Sequence, residues 1–427
     1  MISKYFNNKI IRNGIIFSFF SFFNSGISFF LVLILARYLS PTEYGYLNLF
    51  TTITAILSLL MTLNTSSYFS VSYFKLEKKD LQKILSGVVL VLLGVSFSLT
   101  VLILLFSRVS AQYIGLGYKY QLLALLICFF QAFITLRLEV WRLEEKPILY
   151  GVFSSLLSAL NLGITLLFVI YFQAGWIGRV DSFIIVTTFF SLISLISLIK
   201  ERQIERIKPS KKILHEALSY GLPLIPHSIS TWVRQGGDRY LINYFLGVTQ
   251  LGYFSFAFNV YNIILILGAA FNATYSVNIY KILSKDAKTG IITLRKQIKI
   301  MCFFFIIASM SIFLFIYFLI PIFFPKYEPS TKYLLPLIMA GLFQCLYLCF
   351  VNFLFFYKKT QKLMYITVSV SIFHFILSFF LTKYGMIYTA YITMFTNFLI
   401  FIIVAIYANK YIKFKIFNFR KKIDEPS

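Results

Sequence analysis

The chain has 427 residues, 59% of them hydrophobic and only 13% charged, with a mean hydropathy of +0.81. A soluble domain carries about 25% charged residues, so this balance excludes a soluble enzyme or binding module. The 40 Lys and Arg against 15 Asp and Glu leave a formal net charge of +25.

Twelve apolar runs follow in chain order. Ahead of the first, "MISKYFNNKIIRNG" leads straight into a span with no small-residue cleavage site, so no cleaved signal peptide is expected. Runs such as 13–36 and 298–324 exceed the roughly 20 apolar residues that cross a bilayer as a helix. Backbone groups in lipid must bond within their own segment, which makes each run a helix. Spans are expected over 13–36, 46–70, 86–107, 118–138, 148–172, 182–199, 217–246, 251–276, 298–324, 332–356, 363–383 and 386–408. They divide into an N-terminal six-helix lobe (1–199), a polar cytoplasmic linker (200–216), a C-terminal six-helix lobe (217–408) and a basic tail (409–427).

Placing the N-terminus and alternate loops on one side collects 31 of the 40 Lys and Arg there. Seven fall on the other side, Arg179 among them. That asymmetry is a positive-inside signal, so both termini are expected in the cytoplasm. The segments "KERQIERIKPSKK" and "NKYIKFKIFNFRKK" then face anionic head groups, which accounts for most of the net charge without nucleic acid.

The halves repeat weakly. "YLSPTEYGYLNLF" (38–50) aligns with "FLGVTQLGYFSFA" (245–257) at an offset of 207 residues, with Leu39, Thr42, Gly45 and Tyr46 recurring as Leu246, Thr249, Gly252 and Tyr253. Both stretches connect the first and second spans of a half, and Gly45 and Gly252 read as structural turn residues. Six spans per half give both halves the same orientation, an arrangement suited to alternating access. On "LARYLSPTEYGYLNLF" (35–50) and "GGDRYLINYFLGVTQLGYFSFA" (236–257), the chain resembles the polysaccharide-transporter branch of the multidrug/oligosaccharidyl-lipid/polysaccharide flippase superfamily. O-antigen and capsule repeat-unit flippases belong to this branch. The resemblance implies an all-α integral membrane protein with two six-helix lobes around a central cavity. It also implies export of an undecaprenyl-diphosphate-linked oligosaccharide across the bacterial inner membrane. Its expected partners are that glycan, membrane lipids and polysaccharide assembly proteins, around a monomer. No cofactor is expected, and coupling to H+, Na+ or membrane potential stays open.

The seventh span holds "TWVRQGGDRYLIN" (231–243), with Arg234, Asp238 and Arg239 at membrane depth. A mid-membrane Arg or Asp costs roughly 2.5–3.5 kcal/mol on insertion scales, so such residues face a bundle interior or an aqueous cavity. Two readings stand. Arg234 and Asp238 form a structural pair while Arg239 snorkels to the interface, or the excess positive charge attracts an anion such as a diphosphate, which Arg binds bidentately. Gly236 and Gly237 permit close approach, and Pro223 and Pro226 should break or bend the cytoplasmic end. The first span, its repeat partner, carries Ile27, Leu31 and Val32 at the three charged positions.

Asn24, His227, Gln131 and Asn259 are further candidate cavity polars, each open to a plain helix–helix hydrogen bond. Arg137, Arg142 and Lys281 are candidates for a cytoplasmic gate, with an interfacial salt-bridge network as the alternative. Arg37 and Glu43 are expected to pair in the turn after the first span. No phosphate loop, metal-ligand pair or nucleophile elbow is present in the sequence, so no enzyme is expected. The function classes are therefore a lipid-linked oligosaccharide flippase, a cation-coupled multidrug antiporter of the same fold, and a membrane polymerase or ligase. The last is disfavoured by short extracytoplasmic loops.

Overall fold

A computed structural model describes residues 9–74, 76–204, 211–285 and 287–412. The middle of the linker (205–210) and the tail beyond residue 412 lie outside the described residues. Everything regular that is described is helical. The residues form two compact units, 1–255 and 256–427. The first unit thus takes in residues 217–255, expected from sequence in the second lobe.

In the first unit run α1 (Lys9–Tyr38), α2 (Pro41–Thr62), the short α3 (Thr65–Ser72), α4 (Lys78–Leu105), the short α5 (Ser107–Ile114), α6 (Tyr118–Leu143), α7 (Pro147–Leu166) and α8 (Gly175–Lys200). α2 starts five residues ahead of its apolar run because Ser40 caps it. The Ser40 hydroxyl accepts from Glu43 N, and the Glu43 carboxylate accepts from Ser40 N at 2.9 Å, with Pro41 opening the first turn. α8 also starts earlier than expected, so Arg179 and Asp181 lie one to two turns inside the helix and Arg179 is no loop cation. Ile134, Val186 and Phe190 form an interior cluster joining α6, α7 and α8. Large side chains face outward, Phe22 at 69% and Phe97 at 73% exposed, as lipid-facing helices require.

The seventh span is the interrupted one. It runs as α9 (Lys211–Gly221), a tight turn at Leu222–Leu224, α10 (Ile225–Trp232), a wide turn at Val233–Gly237, and α11 (Asp238–Leu246). Eleven other helices among the described residues are long and apolar enough to cross a membrane; the interrupted segment makes the twelfth. The second unit continues α12 (Val248–Lys285) and adds α13 (Ala287–Phe323), α14 (Thr331–Phe356), α15 (Thr360–Leu381) and α16 (Met386–Ile412). α14 is the most enclosed and packs along α16. Neutral hydrogen bonds tie this unit together, as expected where lipid offers no hydrophobic drive between helices. Asn397 Nδ2 donates to Ala340 O at 3.2 Å, and His374 Nδ1 meets Thr396 Oγ1 at 3.0 Å.

The repeated turns touch one another within the first unit. Thr42 and Thr249 hydroxyls meet at 2.8 Å, across the 207-residue offset. A Cβ on Gly45 would lie 2.2 Å from Val248 O, and one on Gly252 would lie 1.8 Å from Pro41 O. Val248 and Pro41 are themselves repeat mates, so each glycine admits the other segment's backbone. The contact is self-complementary, the signature of a local two-fold. Gly45 and Gly252 therefore serve helix packing from inside the first turns of α2 and α12 rather than turn geometry.

Candidate substrate site

The site is built on the interruption between α9 and α11. Pro223 lies in the tight turn and Pro226 opens α10. A proline there removes a backbone donor and clashes with the preceding turn, so the helix must break. The wide turn at 233–237 is a π turn holding Arg234, Gly236 and Gly237; such one-turn expansions recur at functional sites. In a continuous α-helix Arg239 would lie about 140° from Arg234. The extra residue per turn swings it back toward Arg234.

Arg234 and Asp238 are buried, at 9% and 4% exposure. Arg239 Nη1 donates to Gln235 O at 3.1 Å and reaches Thr52 Oγ1 at 3.4 Å, while Trp232 Nε1 donates to Thr52 O at 3.2 Å. Thr52 is buried on α2. Arg239 thus turns inward against α2 instead of snorkelling, because Thr52 gives it a partner within the bundle. It also lies in the field of Asp238, and His227 lies in the field of Arg234. A Cβ on Gly236 would stand 3.3 Å from Thr52 Cγ2, so this glycine supports close packing of the π turn on α2. Two guanidinium groups and one carboxylate leave a net positive charge in an interior position.

The other expected residues scatter. Asn24 Nδ2 donates to Ser154 Oγ at 2.9 Å, which makes Asn24 a tie between α1 and α7. His227 is exposed on α10. Asn259, in the second unit, accepts from Asn262 Nδ2 at 3.4 Å, and Lys281 is exposed on α12. Gln131, on α6, lines a cavity of about 370 Å³ inside the first unit together with Arg179 and Asn161. Sequence reasoning missed those two; the only available signal was that the "GWIGRVDS" segment can begin a helix.

At the end of α6, Arg137 is fully buried, pairs with Glu201 and stacks over Trp141 at 4.2 Å. Arg142 pairs with Glu139 at 2.5 Å, and Ser70 Oγ donates to the same carboxylate. Lys146 bonds Glu144 at 2.8 Å, and that hydrogen bond holds the ammonium pKa above its usual value. Arg137 and Arg142 thus each stand in an ion pair at this end of α6, and Lys281 takes no part in those pairs. The expected Arg37–Glu43 pair is not made: the Glu43 carboxylate is committed to Ser40, and Arg37 is exposed.

Helices of this length and apolarity define a multi-pass membrane protein. The polysaccharide biosynthesis protein family model matches residues 10–277, and the chain belongs to that family. Its fold is similar to an inward-facing multidrug resistance MATE family transporter of the MOP superfamily, with a TM-score of 0.72 at 14% identity over 92% of this chain and 96% of that one. A comparable likeness holds for the lipid II flippase MurJ in an inward closed conformation, with a TM-score of 0.71 at 16% identity over 96% and 94% of the two chains. An outward-facing multidrug resistance MATE family transporter matches with a TM-score of 0.59 at 16% identity over 96% of this chain and 97% of that one. No curated protein matches by sequence.

Proposed function

We propose that the chain is a flippase of the bacterial cytoplasmic membrane. It moves an undecaprenyl-diphosphate-linked oligosaccharide repeat unit across the bilayer by alternating access, for O-antigen or capsule assembly. The observation that carries this reading is the interior positive cluster at the π turn, where Arg234 and Asp238 are buried and Arg239 is drawn inward onto Thr52. A diphosphate bears negative charge and presents oxygens that fit the guanidinium fork. A cationic drug would meet repulsion from the same groups. Membership in the polysaccharide biosynthesis family supports the glycan, and the named activity of MurJ, flipping lipid II, supports a lipid-linked one.

The test is reconstitution. Proteoliposomes holding the chain and an undecaprenyl-diphosphate-linked oligosaccharide are treated with a membrane-impermeant periodate pulse. Without protein about half the glycan is shielded; with protein the shielded half should become oxidisable over time. Shielding that persists, with efflux of a cationic dye from the same vesicles, would establish the antiporter instead.

A further inference from the structure

A second cationic centre lies entirely within the first unit and shares no lining residue with the π turn. The cavity of about 370 Å³ is bounded by α1, α2, α6, α7 and α8, and its polar lining is Ser28, Thr51, Gln131, Ser158, Asn161 and Arg179. Aliphatic side chains and Phe183 complete the wall. Arg179 is set by its neighbours: Nη1 donates to Asn161 Oδ1 and to Thr165 Oγ1 at 3.1 Å, and the guanidinium stands 5.0 Å from the Phe183 ring. Thr165 is fixed in turn by Ser182 at 2.7 Å.

Every one of these partners is neutral. Among the described residues Arg179 makes no ion pair, and no carboxylate lines the cavity. Arg179 is half-buried; its guanidinium cannot shed its proton to escape an apolar setting, and a charge within a span without a counter-charge is costly. The first turns of α8 add the positive end of a helix dipole beside it. The lining supplies the remaining requirements of an anion site. The amide NH₂ groups of Gln131 and Asn161 and the Ser158 hydroxyl are donors, and the Gln131 side chain makes no hydrogen bond within the described residues. The volume is more than a bare ion needs, since a water requires about 10–15 Å³.

We propose that this cavity is an anion-binding site, taking one small monovalent anion with part of its hydration shell, held by Arg179 and completed by Gln131, Asn161 and Ser158. The anion is a free halide or the carboxylate of an acidic sugar; both present the same chemistry to a guanidinium and two amides. The site is distinct from the charges of the π turn and does not depend on the flippase reading.

Thermal unfolding of the purified full chain tests it without any transport assay. The protein is held in sodium MES at constant ionic strength, and chloride or glucuronate is exchanged in stepwise. A saturable rise in Tm of a few degrees is expected with at least one anion. A rise with chloride assigns a free inorganic anion, and a rise with glucuronate alone assigns a sugar-borne carboxylate. Arg179→Gln should abolish the rise, and Arg179→Lys should keep part of it at a several-fold higher midpoint. Gln131→Leu leaves every hydrogen bond of Arg179 in place and should raise the midpoint several-fold, so it decides the matter if Arg179→Gln does not fold. No rise with either anion, a rise that survives Arg179→Gln, or an unmoved midpoint in Gln131→Leu would overturn the proposal.

Discussion

α1 and the α9–α11 segment stand at equivalent places in the repeat, and they differ in nearly everything. α1 is one unbroken helix of 30 residues with Asn24 as its mid-span polar group, and that amide is used to hold α7. The α9–α11 segment is broken at Pro223, widened at 233–237, and carries Arg234, Asp238 and Arg239 in its interior half. Their C-terminal ends nonetheless lead into matching contacts, Thr42 on Thr249 and each repeat glycine on the other's backbone. The scaffold has therefore kept its local two-fold where the chain turns, while the chemistry has been placed on one copy only. The wide turn is present in the charged copy and absent from α1, although an apolar stretch, Leu167–Tyr171, also widens into a π turn.

The comparison can be broken most severely at Arg234. Replacing Arg234 with Ala should abolish surface glycan display at near-normal protein abundance, since Arg239 remains beside Asp238 to compensate its charge. Arg234→Lys should keep part of the display, because charge remains and only the bidentate fork is lost; display assayed by whole-cell glycan blot against abundance separates the two. Asp238→Ala acts on stability first, by leaving the buried Arg234 and the partly buried Arg239 without their nearby carboxylate. Loss of one partner of a buried pair costs about 3–5 kcal/mol, so abundance in the membrane fraction should fall sharply.

The symmetric side of the comparison yields smaller effects. Gly252→Ala places a methyl group onto Pro41 O, and Gly45→Ala places one onto Val248 O. Overpacking of this kind costs about 1–3 kcal/mol, and the two should be comparable because the contact is reciprocal. Thermal unfolding in detergent checks this, and a large disparity would argue against the local two-fold. Smallest of all, Glu43→Ala removes the capping box of α2 and should cost about 1 kcal/mol, whereas Arg37→Ala should be silent.

Length and apolarity made the spans legible, since twenty greasy residues in lipid have no choice but to be helix. Span ends were less so. "SPTE" contains the α2 cap in plain sight, yet the apolar run starts five residues later, and the same habit pushed Arg179 out of α8 into a loop. Pro223 announced the break in the seventh span because proline acts locally. The π turn had no such herald: it depends on how residues 233–237 pack against Thr52, 181 positions or more away along the chain. Partners set by tertiary packing, such as Ser154 for Asn24 and Asn161 for Arg179, were beyond periodicity for the same reason.

The central claim is that the charges of the π turn serve the substrate rather than the fold, and the double change Arg234→Ala with Asp238→Ala tests it most directly. Removing both partners relieves the uncompensated charge left by Asp238→Ala alone, so abundance should recover toward the parent level. Glycan display, measured in the same cells, should stay absent because the Arg234 fork is gone, while the net charge of the cluster is unchanged. Normal display in the double variant would contradict the claim and return the pair to a structural role.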